Sequence, residues 1–148
     1  MRLALDPSLQ TADYAYRHPI RVRFAETDAM GIVHHARYLP YLEETRVAFL
    51  RDIGHPYASI REEGFDFTVI EAFVRYLKPL RFDDVVEVHM TVGPVTRATF
   101  QLGYLLAIDD VAHATGVTVH GCVTNDGRPA RLPAWLPAAA ADMAADAT

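Results

Sequence analysis

Residues 19–25 alternate, with Ile20, Val22 and Phe24 apolar against Arg21 and Arg23. That period of two marks a strand with one buried face. A polar loop over 26–31 ends on Gly31, and then the period changes. Tyr38, Leu42, Phe49, Leu50 and Ile53 recur at helical spacing, which predicts a helix from about 35 or 37 to 53. Pro40 fits the first turn, where its missing N–H costs nothing, and Gly54 with Pro56 beyond it stops the helix. Four further alternating runs follow, over 67–77, 85–92, 99–108 and 115–124. Gly93-Pro94, Asp109-Asp110 and Asn125-Asp126-Gly127 read as the turns after the last three of them.

The predicted order is strand, long helix, then four strands joined by short turns. Short turns imply antiparallel neighbours, and one helix must cover a sheet face to make a core. The expected class is α+β, an antiparallel sheet wrapped around one long central helix. Such a sheet leaves an edge that a second copy can pair with. Residues 1–17 show no strong period and read as a lead-in. Residues 18–136 form one unit without linker or repeat. The Ala- and Asp-rich residues 137–148 are expected to be a flexible tail or a short exposed helix.

The 148 residues suit one domain, and a net charge of -5 argues against a nucleic-acid partner. A local basic cluster can still hold a phosphate. Cys122 is the only cysteine, so no intramolecular disulfide forms and a reducing, cytoplasmic location is expected. The first residues carry no apolar signal segment, and no apolar run reaches the ~18 to 20 residues of a membrane span.

Several chemistries lack their residues. Ser8 and Ser59, the only serines, lie outside any G-x-S-x-G turn. Cys122 sits in an alternating strand, as a buried structural thiol does. There is no G-x-G-x-x-G or phosphate loop. His34 and His35 are adjacent, and adjacent side chains diverge on a helix or a strand, so no metal site is expected. What remains is Glu26, Asp28, His34 and His35 at a loop-to-helix junction. On composition alone Asp28 as a turn cap and His35 as a helix cap account for them as well as chemistry does.

The run Glu26-Thr27-Asp28-Ala29-Met30-Gly31, continuing through His35 to Tyr38-Leu39, resembles the signature of the 4-hydroxybenzoyl-CoA thioesterase family of hotdog proteins. It is most similar to the acyl-CoA thioesterase branch associated with the Tol-Pal system. Glu43 and Arg46, Arg75-Tyr76-Leu77-Lys78-Pro79 with Asp83-Asp84, and Gly127-Arg128-Pro129 with Leu132-Pro133 follow in that family's order. The similarity spans about residues 18–136. Met30, Arg37 and Pro40 depart from the pattern.

The resemblance implies a hotdog fold and thioester hydrolysis, with CoA as part of the substrate and no other cofactor. It implies Asp28 as general base on water, or as nucleophile through a mixed anhydride. Backbone N–H groups near His35 would stabilise the oxyanion, with the His35 side chain orienting the carbonyl or the water, and with Tyr38 and Gly31 as substrate-binding positions. A leaving thiol of pKa ~8.5 needs little acid assistance. The site is expected between subunits of a homodimer or homotetramer. Arg97, Arg128 and Arg131 are candidates for the CoA phosphates. Glu26 is expected to support the loop, and Glu43 with Arg46 to form an ion pair. Acyl-carrier-protein or aromatic CoA esters, or binding without catalysis, are the alternatives.

Overall fold

The predicted long helix is α1, Tyr38–Asp52, and in the computed structural model it packs against one face of a five-stranded antiparallel sheet. The structure describes residues 4–146. The strands are β1 (Tyr16–Arg21), β2 (Phe65–Tyr76), β3 (Val85–Val95), β4 (Thr99–Ile108) and β5 (Val111–Thr124), in the spatial order β1-β3-β4-β5-β2. Sheet and helix make the hotdog arrangement that the pattern and the resemblance implied. A second helix, α2 (Tyr57–Glu62), links α1 to β2, and α3 (Trp135–Asp146) closes the chain.

Alternation decides the two faces. Val86, Val88 and Met90 of β3 and Phe100, Leu102, Tyr104 and Leu106 of β4 join Tyr38, Tyr41, Leu42, Phe49 and Leu50 of α1 in one core. Leu105 and Ala107 point to the other face, where Tyr14 covers them. The lead-in therefore has a defined place. The Ala4 N–H donates to Gln101 Oε1 at 3.0 Å, and the Thr11 hydroxyl donates to Asp110 at 3.1 Å. Leu5 sits over Gly93 and Gly103, where a Cβ on Gly103 would lie 2.6 Å from its Cδ2.

Four boundaries differ from expectation. β1 runs from Tyr16 to Arg21 rather than over 19–25. Its alternation breaks at Phe24, which is 75% exposed and packs edge-on against Phe82, because the chain turns into a 3-10 segment at Phe24–Glu26. The short α2 was not foreseen. β3 passes through Gly93-Pro94 to Val95, with its register shifting between Val92 and Val95. A proline is tolerated at such an irregularity because no ladder donor is needed there. Finally, residues 137–146 take the helical alternative rather than the flexible tail. They belong to α3, which buries Leu136 and Met143 against the core and packs on β3. Leu136, Ala139 and Met143 have the spacing of one helical face. Residues 147 and 148, and 1–3 of the lead-in, lie outside the described residues.

Candidate active site

The loop from Glu26 to α1 is built on backbone bonds to fixed partners. Asp28 N–H donates to Ile32 O at 2.9 Å and Gly31 N–H to Asp28 O at 2.9 Å. Gly31 has φ +78, in the left-handed region where a side chain is disfavoured. Val33 N–H reaches Leu80 O at 2.8 Å and His34 N–H reaches Glu26 O at 2.9 Å. The loop is thus laid between the Glu26 turn and the segment that leaves β2.

Glu26 anchors it from below. Its buried carboxylate accepts from Arg23 N–H at 2.8 Å and from the Tyr41 hydroxyl at 2.7 Å, and it also meets the Arg23 guanidinium. Burial by itself would raise its pKa; those hydrogen bonds and the Arg23 charge more than offset burial and hold it below the ordinary carboxylate value.

Asp28 does cap a turn: its Oδ1 accepts from Met30 N–H at 2.8 Å. Its other oxygen has no hydrogen-bond partner among the described residues. The capping role at the helix start falls to His34, not His35. His34 Nδ1 accepts from Ala36 N–H at 3.0 Å and His34 O accepts from Arg37 N–H at 2.9 Å, which starts the 3-10 turn His35–Arg37 ahead of α1. His35 is exposed, and its backbone N–H finds no acceptor among the described residues. The expectation that the His34 and His35 rings diverge is overturned. Their centroids are 4.1 Å apart at 29°, because His34 is extended while His35 opens the 3-10 turn, so the pair shares neither one helical nor one strand period. No group of three or more metal-ligating side chains gathers among the described residues.

Asp28, His35 and Tyr38 line one cavity of about 370 Å³, walled also by Met30, Tyr76 and Lys78. Tyr38 is buried, and burial, then Tyr76, raises its pKa, while a hydrogen bond from Leu80 N–H pulls the other way. Gly31 does not line this cavity; it shapes the turn that carries Asp28. A larger cavity, about 480 Å³, lies between α1, β1 and α3, but it contains none of these residues. The 370 Å³ cavity is the candidate site because Asp28, with its half-free carboxylate, and His35, whose backbone N–H has no acceptor among the described residues, both line it.

Tyr76, Leu77, Lys78 and Pro79 line the cavity without having been expected there. Their signal was the Arg75-to-Pro79 motif, whose place beside the loop only the sheet reveals. Arg97, Arg128 and Arg131 are not brought to the cavity in the single chain. Arg97 O accepts from Leu132 N–H, and Cys122, which pairs with Phe67, binds Ala98 O. Tyr76 pairs with Ala114 at the other end of β2, roughly 30 Å away at about 3.3 Å per residue. Glu43 and Arg46 form the expected pair at 3.8 Å, but Arg46 is buried beside Tyr57 and Tyr104. Cys122 is buried, and burial raises its thiol pKa, which disfavours the thiolate.

The model of the thioesterase-like superfamily matches residues 22–140. The chain belongs to that family. A putative esterase from Aquifex aeolicus is 42% identical over 120 residues, covering 81% of this chain and 91% of its own. The acyl-CoA thioesterase YbgC of Haemophilus influenzae is 34% identical over 88 residues, covering 59% of this chain and 65% of its own. The solved structure of a hypothetical protein from Thermus thermophilus superposes with a TM-score of 0.80 at 36% identity, covering 86% of this chain and 98% of that one. No helix among the described residues is long and apolar enough to cross a membrane.

Proposed function

We propose that the protein is an acyl-CoA thioesterase, hydrolysing a thioester to a free acid and CoA at the cavity shared by Asp28 and His35. The observation that carries this is Asp28 itself. One carboxylate oxygen is held by Met30 N–H, the other has no partner among the described residues, and the residue lines a cavity large enough for an acyl group. Family membership and the relatives named acyl-CoA thioesterase support the reaction class.

In the general-base route, Asp28 takes a proton from water as the water oxygen attacks the thioester carbon. In the nucleophilic route, its free oxygen attacks that carbon, the C–S bond breaks to leave a mixed anhydride, and water then opens the anhydride. Both place negative charge on the carbonyl oxygen. The His35 N–H, at the start of a helix, is the donor available to it. In the general-base route the C–S bond breaks as this oxyanion intermediate collapses, and in both routes the departing thiolate takes up a proton. The His35 imidazole, free of capping duty, orients the carbonyl or the water.

A second copy completes the site in this proposal. Edge strand β2 exposes Val69, Ile70, Phe73 and Tyr76. Antiparallel pairing of two β2 strands would set the partner's Arg97, Arg128 and Arg131 end beside the Tyr76 end, within reach of CoA phosphates.

Thiol release from short, medium, long and aromatic acyl-CoAs, and from acyl-carrier-protein esters, tests the function. Turnover of at least one CoA ester is expected. Binding without turnover across the panel would make the protein a non-catalytic acyl-CoA module.

A further inference from the structure

We infer that Tyr76, from the end of the edge strand, is a positioning residue that sets His35 by clamping the peptide that follows it. This inference rests on the thioesterase reading of the cavity. The His35–Ala36 peptide is a rigid plane with a carbonyl on one side and an N–H on the other. Tyr76 Oη donates to the His35 carbonyl at 3.3 Å, and His34 Nδ1 accepts from the Ala36 N–H at 3.0 Å. A plane held at both ends leaves His35 little freedom in ψ. The backbone of His35 and the ring that stacks on His34 are therefore fixed together.

The two clamps have different origins. His34 belongs to the loop, so its bond moves with the loop. Tyr76 belongs to the sheet: it pairs with Ala114, and the next N–H groups, of Leu77 and Lys78, both donate to His113 O at 2.9 and 3.0 Å. Its ring stands edge-on to Tyr38 at 4.8 Å. Tyr76 thus refers the position of His35 to the rigid part of the molecule. The turn needs such a reference because a 3-10 turn of three residues is weakly held by its own bonds. A small misplacement of a group facing the reacting carbonyl costs far more in rate than in stability.

Tyr76→Phe keeps the ring and its contact with Tyr38 and removes only the hydroxyl. Two readouts on the full chain test the inference. In turnover, kcat is expected to fall about tenfold with KM within about twofold of the parent. In NMR spectra, the His35 ring protons are expected to shift as the stack on His34 loosens, while the thermal midpoint stays the same. Parent-like kcat, a raised KM at unchanged kcat, or unmoved His35 signals would each overturn the positioning role. If the parent protein itself hydrolyses no thioester, the functional reading fails, and the His35 signals still decide whether Tyr76 holds the turn.

Discussion

The phenol of Tyr41 donates a 2.7 Å hydrogen bond to the carboxylate of Glu26, joining α1 to the turn that precedes Asp28. Both groups are buried, so each depends on the other. Glu26→Ala is expected to cost about 2–4 kcal/mol, because the Tyr41 hydroxyl and the Arg23 N–H both lose their acceptor. Urea unfolding measures the loss. Tyr41→Phe should cost less, since Glu26 keeps its Arg23 bonds.

Asp28→Asn preserves an oxygen for the Met30 N–H and removes the charge. Turnover is expected to fall by at least ~10²- to 10⁴-fold, the range for a lost general base, with an unchanged unfolding midpoint. Near-parent turnover in this variant would remove Asp28 from the chemistry.

Acid should destabilise the fold through His120. It is fully buried, with Nε2 bonded to Thr118 Oγ1 at 2.7 Å. Burial first, then the Arg46 charge, hold its pKa down at about 3. In the unfolded chain a histidine titrates near ~6.5. Between those values the unfolded state binds a proton that the folded state refuses, so stability drops as pH falls, by about 1.4 kcal/mol per unit. Glu26 acts in the same direction below the ordinary carboxylate range, since its depressed pKa favours folding only while it is ionised. Denaturation series from pH 7 to 4 should show this slope, and His120→Asn should flatten the part above pH 5.

Gly103→Val drives a side chain into Leu5, whose Cδ2 would be 2.6 Å from the new Cβ. The lead-in should lift from the sheet and expose residues near Leu105. A loss of about 1–3 kcal/mol is expected, with faster proteolysis before Thr11. Unchanged cleavage would show that Leu5 moves aside without releasing the segment.

Val69→Lys places a charge on edge strand β2, where Val69 is 53% exposed in a single chain. If two β2 strands pair, sedimentation should show at least tenfold weaker self-association, and turnover should fall with dilution in parallel. A parent that sediments only as monomer at working concentration would defeat the shared site.

Period and turn chemistry made most of the fold legible. The strand and helix periods located α1, β2, β4 and β5 to within a few residues, and Asp109-Asp110 marked a two-residue hairpin, with both residues at positive φ. Of the residues in the motif around Asp28, Asp28, His35 and Tyr38 line one cavity. The sequence alone left open or misassigned what depends on packing. Residues 137–146 read equally as a frayed end or a short exposed helix, and the burial of Leu136 and Met143 in the core decides for the helix. The division of labour between His34 and His35 could not be read from adjacency, since a 3-10 turn lets their rings stack. Tyr76 reached the site by strand pairing, 48 residues from Asp28 in the chain. Local pattern thus determined which residues alternate, turn and carry charge. Only the tertiary structure decided which distant groups share a cavity, because that depends on sheet order and register, which no local period encodes.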